Sequence, residues 1–170
     1  ENLTEYGETK ARLFTELLPA SRLARAAVIN VDDAWAAGLV GRIPGDVLTV
    51  SISDGDTSVA VREARVSAEG IDAVMETPAG RLEIRSALGG RHNLANIALA
   101  VGIASALDWP LEAIAEGIRA CSRIPGRMDT VANDQGLNIW VDYAHTPDAL
   151  ENAVQAALAM TTGELWVVFG

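Results

Sequence analysis

The 170-residue sequence predicts an α/β fold: an incomplete parallel sheet carrying a small antiparallel meander, followed by the opening βαβ of a second domain. Three observations predict it. The apolar run Ala26-Ala27-Val28-Ile29-Asn30 stops at Asp32-Asp33, as a buried parallel strand ending in a polar loop would. Residues 58–88 break into short period-two runs, the pattern of antiparallel strands. Residues 137–169 read apolar run, helix, apolar run, the order of a βαβ unit.

Taken in order, Tyr6 to Leu18 reads as a helix with Phe14, Leu17 and Leu18 on one face, ended by Pro19. The Ala26 strand follows, then a short helix from Asp33 to Val40, a turn at Pro44-Gly45 and a strand from Val47 to Ser53. The meander is predicted from Val59/Val61, Ala64/Val66, Ile71/Ala73/Met75 and Leu82/Ile84, with Gly70 and Pro78-Ala79-Gly80 as its breaks. Helices are predicted over Asn93 to Leu107 and Leu111 to Cys121, the second entered through Pro110. Pro125-Gly126 then breaks the chain. Leu137 to Val141 reads as a strand, Thr146 as an N-cap followed by Pro147 and Asp148 in the first turn, Ala149 to Met160 as the helix and Leu165 to Phe169 as the next strand. Trp35, Trp109, Trp140 and Trp166 fall on separate elements and read as core or hinge packing. A parallel sheet that stops at two strands cannot close a core, so the chain is expected to be a piece of a longer protein.

Composition narrows the function classes. Hydrophobic residues at 49% and charged residues at 21% fit a globular domain and exclude disorder. A formal charge of −10 argues against a nucleic-acid binder, which needs a basic face. No apolar run nears the roughly 20 residues of a membrane span. No charged-then-apolar leader opens the chain, and Cys121 is the only cysteine, which excludes an internal disulfide. The expectation is a cytoplasmic protein. Of 13 Lys+Arg residues only Lys10 is lysine.

Three clusters could carry chemistry. In Trp140-Val141-Asp142-Tyr143-Ala144-His145-Thr146-Pro147-Asp148, an acid, a phenol and an imidazole crowd the carboxyl end of a strand just before a helix, where open α/β sheets bind ligands and anions. A capped turn with a solvated histidine explains the same residues. In Arg91-His92-Asn93-Leu94-Ala95-Asn96, two amides three apart at a helix start could read a purine edge; capping explains Asn93 adequately and Asn96 poorly. Arg127, in Gly126-Arg127-Met128, could grip a phosphate or ribose, or merely sit in a turn. Neither histidine has metal-ligand spacing to the other, and Gly89-Gly90 lacks the Gly-Lys-Ser/Thr of a phosphate loop.

In this order and spacing, these clusters resemble the Mur ligases, ATP-dependent amide-bond formers of peptidoglycan synthesis. Asp142-Tyr143-Ala144-His145-Thr146-Pro147-Asp148, Asn30-Val31-Asp32-Asp33, His92-Asn93-x-x-Asn96, Gly126-Arg127-Met128 and Tyr6-x-x-x-Lys10-x-x-Leu13-Phe14 all match. The Thr146-Pro147-Asp148 continuation is similar to the branch that adds a diamino acid, meso-diaminopimelate or lysine, as third residue to UDP-N-acetylmuramoyl-L-alanyl-D-glutamate. Folylpolyglutamate and cyanophycin synthetases share the Asp-Tyr-Ala-His start but usually continue Asn-Pro.

The resemblance implies that residues 1–125 are the second half of a central ATP-binding domain, and that 126–170 are the hinge and start of a Rossmann-like C-terminal domain. It implies ATP and Mg2+ as cofactors. Asn93 and Asn96 would lie at the base, Arg127 and Asp142 on the ribose and phosphate side with His145 near the same edge, and domain closure would complete the site. It also implies that Lys10 is carbamoylated by carbon dioxide and, as its carbamate, helps hold magnesium. Arginine cannot form that group, and carbamoylation supplies two hard oxygens suited to magnesium. An ordinary surface lysine is the plain alternative. Two other classes stay open, a related amide ligase and a non-catalytic nucleotide-binding relative. Without a phosphate loop, the segment alone is expected to be inactive.

Overall fold

The computed structural model describes residues 2–22, 26–53, 55–67 and 70–169. The chain divides into two compact units, Glu1–Ala120 and Cys121–Gly170.

The first unit opens with α1 (Leu3–Arg12), started by Asn2, whose side chain accepts the Glu5 N–H at 2.8 Å. The helix does not stop at Pro19. A π-helical stretch (Leu13–Leu17) carries it into α2 (Leu18–Ala20), with the Leu18 N–H donating to the Leu13 carbonyl five residues back. A proline has no N–H to continue the ladder, and the helix ends one residue beyond it, at Ala20. Phe14 and Leu18 are half-buried, whereas Leu13 and Leu17 are exposed.

A mixed five-stranded sheet follows, in sequential order. β1 (Ala27–Asn30) pairs parallel with β2 (Val47–Ser51), and β2 pairs parallel with β3 (Val59–Val66). β3, β4 (Ile71–Thr77) and β5 (Gly80–Ser86) form the antiparallel meander. The two runs expected at 59–61 and 64–66 are one strand, interrupted by a bulge between Val61 and Glu63 that shifts the phase of the pattern. Ala64 and Val66 are exposed, because β2 pairs only as far as Ala60 and the rest of β3 lacks that neighbour. The helix expected over 33–40 is shorter, α3 (Ala34–Ala37), with a 3-10 turn at Val40–Arg42.

Helices α4 (Arg91–Ala106) and α5 (Leu111–Ala120) cover the apolar face, close to their expected spans. Leu94, Ile97, Ala98 and Val101 of α4 and Ile114 of α5 join Val50, Val59, Ile71, Met75 and Leu82 in the main core. The end of α4 is closed by Asp108 at φ 57°: its N–H donates to the Ser105 carbonyl and that of Trp109 to the Ala104 carbonyl. A second cluster, Ala11, Ala27, Ile29, Leu39 and Ile43, joins α1 to β1.

In the second unit β7 (Trp140–Val141) pairs antiparallel with β6 (Asp129–Thr130), and α6 (Pro147–Met160) is capped by Thr146. No strand forms over Leu165–Phe169 among the described residues; Trp166 and Val168 are 83% and 95% exposed. An extended run becomes a strand only against a neighbour, and the ladder recorded for Trp140–Val141 is with Asp129–Thr130. The packing roles expected for the tryptophans divide: Trp109 and Trp166 are largely exposed, Trp140 is half-buried, and Trp35, though 41% exposed, lays its ring against Gly7 of α1.

Gly102 is where α4 meets the sheet. A Cβ there would lie 2.7 Å from Val28 Cγ1 and 2.8 Å from Val50 Cγ2, whereas one on Gly117 of α5 would meet nothing within 4 Å. Gly102→Ala is therefore expected to lower stability by about 1–3 kcal/mol through overpacking, despite alanine's better helix propensity. Gly117→Ala should raise it by up to about 1 kcal/mol. Urea denaturation of the two variants measures this opposite response.

Candidate functional site

Candidate residues occur in both units. In the first, Lys10 is exposed on α1, with Nζ 4.5 Å from the centroid of the Tyr6 ring one turn earlier. Among the described residues no carboxylate pairs with it. Asn93 and Asn96 lie in the first turns of α4 but differ in surroundings: Asn93 is 5% exposed and its amide donates to the Gly89 carbonyl at 2.8 Å, whereas Asn96 is exposed. The N-cap of α4 is Gly90, so Asn93 ties the helix to the turn before it without being the cap itself.

The carboxyl ends of β1 and β2 are joined by a carboxylate. Asp32 Oδ1 accepts from Ser51 Oγ at 2.6 Å and Oδ2 accepts from the Ile52 N–H at 2.7 Å. This takes the Ile52 amide off the sheet ladder, which is why β2 ends at Ser51 rather than running to Ser53. The Asn30 side chain accepts the Asp32 N–H, and Asp33 caps α3 by accepting from Ala36. Burial pushes the Asp32 carboxyl upward, but hydrogen bonds from Ser51, Ile52 and Ser53 outweigh it and hold it below its ordinary value.

In the second unit Asp142 is the organising group. Its Oδ2 accepts the Met128 N–H and its Oδ1 the Ala144 N–H, both at 2.9 Å, while the Tyr143 N–H donates to the Gly126 carbonyl at 2.8 Å. Met128 has φ 46°, which side chains other than glycine seldom adopt, and the carboxylate helps hold that turn. Asp142 thus draws the Gly126-Arg127-Met128 turn to the end of β7. Arg127 itself is exposed. His145 Nδ1 lies 3.0 Å from the Tyr143 carbonyl oxygen, with the two rings edge to face. The unit therefore brings Arg127, Asp142 and His145 to neighbouring loops.

Residues 1–104 match the Mur ligase middle domain, and residues 126–170 the Mur ligase glutamate ligase domain. The chain belongs to the Mur ligase family. Among its curated relatives, the UDP-N-acetylmuramoyl-L-alanyl-D-glutamate–2,6-diaminopimelate ligase of Geobacter metallireducens is 44% identical over 99% of this chain and 33% of the relative. That of Gloeobacter violaceus is 39% identical over 99% of this chain and 34% of the relative. A solved Mur ligase of the same name superposes over the whole chain with a TM-score of 0.72 at 30% identity, covering 35% of that structure. Folylpolyglutamate synthetase from Lactobacillus casei shares the fold, with a TM-score of 0.64 at 21% identity over 92% of this chain and 40% of that one. The chain spans about a third of the length of the curated Mur ligases it matches.

Sequence reasoning named Asp32 only within a motif and missed Ser51, Arg42 and the seat of α1. A serine in a strand and an arginine after a helix carry no periodic signal; their partners are 19 and 34 residues away. Among the described residues no group of three or more His, Cys, Asp or Glu side chains is placed to hold a metal ion.

The Asp32 lock has an acid signature. A depressed carboxyl contributes stability that is complete above the ordinary aspartate value of about 3.9 and is lost as pH falls through the lower folded-state value. Asp32→Asn is expected to flatten the acid limb of the stability profile below about pH 4 while leaving its slope near neutrality unchanged. Denaturation at a series of pH values measures both slopes.

Proposed function

We propose that this chain is the ATP-binding and hinge portion of a MurE-type ligase, which adds meso-diaminopimelate to UDP-N-acetylmuramoyl-L-alanyl-D-glutamate in the cytoplasm. The observation that carries the proposal is 44% identity along nearly the whole chain to a ligase bearing that name. Residues 1–125 would complete the central domain and 126–170 would open the C-terminal one.

The proposed reaction forms an acyl phosphate. The γ-phosphoryl group of ATP passes to the side-chain-derived carboxylate of the D-glutamyl residue and ADP leaves. The diamino acid's amine attacks the activated carbonyl, and the tetrahedral intermediate expels phosphate. Such chemistry is chiefly positioning and charge neutralisation.

The donor chemistry of the named residues suits a nucleotide. The exposed Asn96 amide both donates and accepts, and its companion Asn93, engaged with Gly89, steadies the helix start. Arg127 offers a guanidinium to phosphate or ribose oxygens from the turn that Asp142 holds. Each Asp142 oxygen has one backbone partner and a lone pair left for a ribose hydroxyl. His145 stands beside them on the Tyr143 carbonyl.

The fit to magnesium is limited to one ligand. The exposed Lys10 amine is accessible to carbon dioxide, and its carbamate would supply hard oxygens. When bound, magnesium supplies charge neutralisation at the phosphates.

The reading is tested with the full-length ligase. ATP-dependent phosphate release is expected with the UDP-linked dipeptide and meso-diaminopimelate, and neither with lysine in its place nor with a folate substrate. The isolated 170-residue chain, lacking a phosphate-loop motif, is expected to release none. Turnover of folate with glutamate would replace this proposal by the folylpolyglutamate reading. Lys10→Ala should nearly abolish turnover of the full-length enzyme, with chloride or a short carboxylate restoring part of it. Near-normal turnover of Lys10→Ala would remove the carbamate role.

A further inference from the structure

The face of α1 that packs inward is very small. Gly7 is buried against the Trp35 ring, and a Cβ on it would stand 2.6 Å from two ring carbons and 2.8 Å from the ring nitrogen. One turn on, Ala11 is 1% exposed in the cluster with Ala27, Ile29, Leu39 and Ile43. Only residues this small let the helix settle so close to α3 and β1. At about 100° per residue, Glu8 flanks this seam on one side and Lys10 on the other. Glu8 is clamped: its Oε1 accepts from Arg42 Nη1 at 2.9 Å and its Oε2 from Arg42 Nη2 at 2.6 Å. The support beneath is equally fixed. Trp35 lies on α3, whose cap Asp33 adjoins the Asp32 lock that ties β1 to β2.

We propose that Arg42 is a positioning residue for Lys10: through Glu8 it sets the rotation of α1 on its seat of Gly7 against Trp35, and so the direction in which the Lys10 amine is presented. The inference rests on the Lys10 role proposed above and adds the device that aims it. Any roll that draws Glu8 away from Arg42 rolls Lys10 about the same axis, because both belong to one rigid helix. A forked guanidinium–carboxylate pair fixes orientation as a single contact cannot. Both partners are half-exposed, so the pair contributes little to stability. Its loss should therefore show in the aim of Lys10 far more than in the folding of the domain.

The full-length ligase is the material for the test. With 13C-labelled bicarbonate, the Lys10 carbamate is read by its NMR signal, and Lys10→Ala identifies that signal by its loss. Turnover is followed against bicarbonate concentration. Arg42→Ala is expected to weaken the carbamate signal, raise the half-maximal bicarbonate concentration several-fold and reduce kcat about tenfold, as misplacement of a reacting group does. KM for the UDP-linked dipeptide should stay within about twofold of the unaltered enzyme and the melting temperature within a few degrees. Arg42→Lys, which keeps the charge and loses the fork, should resemble Arg42→Ala; it carries the same measurement should Arg42→Ala fail to fold. The exchange Glu8→Arg with Arg42→Glu should restore most of the signal. An Arg42→Ala or Arg42→Lys enzyme with unaltered signal, bicarbonate dependence and kcat overturns the proposal while leaving the Lys10 role intact. So does an exchange variant that folds yet restores nothing. Absence of any carbamate signal in the unaltered enzyme, with a fully active Lys10→Ala, defeats the Lys10 reading itself and the proposal with it.

Discussion

The close approach of α4 to the parallel strands, made at Gly102 against Val28 and Val50, is the contact on which the first unit depends. A helix held a few tenths of an ångström further out would lift Leu94, Ile97, Ala98 and Val101 from the sheet, and those side chains form the centre of the main core. Dense packing makes such a shift costly, since each apolar contact is short-ranged and the interior has no slack. The same helix carries the Asn93 and Asn96 amides at its start, so the packing that closes the core also sets where those amides stand.

From that core, support passes outward through polar locks. Asp32 joins the ends of two parallel strands by accepting from the Ser51 hydroxyl of β2 and from the Ile52 backbone amide just beyond it. Asn30 and Asp33 secure the chain on either side of it. The loop is therefore fixed at the carboxyl edge of the sheet, where α/β folds place their ligands. α3 and Trp35 follow directly from it, and α1 rests on Trp35 through a glycine.

The second unit uses the same device on a smaller scale. It has a single buried apolar residue, Ala157, among those described, so hydrophobic burial does little to shape its loops. Backbone hydrogen bonds to Asp142 do so instead, holding a turn at Met128 whose dihedral angle is unfavourable by itself. Arg127 and His145 are positioned through this carboxylate and the Tyr143 backbone rather than by packing.

Much of this was legible before folding. Period-two runs marked the meander, and helical spacing marked α4 and α5 nearly to the residue, because both signals repeat over many positions. Thr146 with Pro147 and Asp148 marked the start of α6, since capping needs only neighbours in sequence. The motif order around Lys10, Asn93, Asn96, Arg127, Asp142 and His145 pointed to the family. Tertiary structure decided the rest. The first helix runs through a π turn to Ala20, one residue past Pro19; β2 ends at Ser51, where Asp32 reaches across to Ile52; and among the described residues Leu165–Phe169 forms no strand despite its strand-like composition. The different surroundings of Asn93 and Asn96, three residues apart, follow from what lies against the helix and not from their spacing. The sequence by itself determined what repeats locally, because helices, alternating strands and caps are governed by neighbours along the chain. The Asp32–Ser51 and Glu8–Arg42 contacts were decided only in three dimensions, because their partners are separated by 19 and 34 residues and nothing in the intervening pattern encodes their meeting.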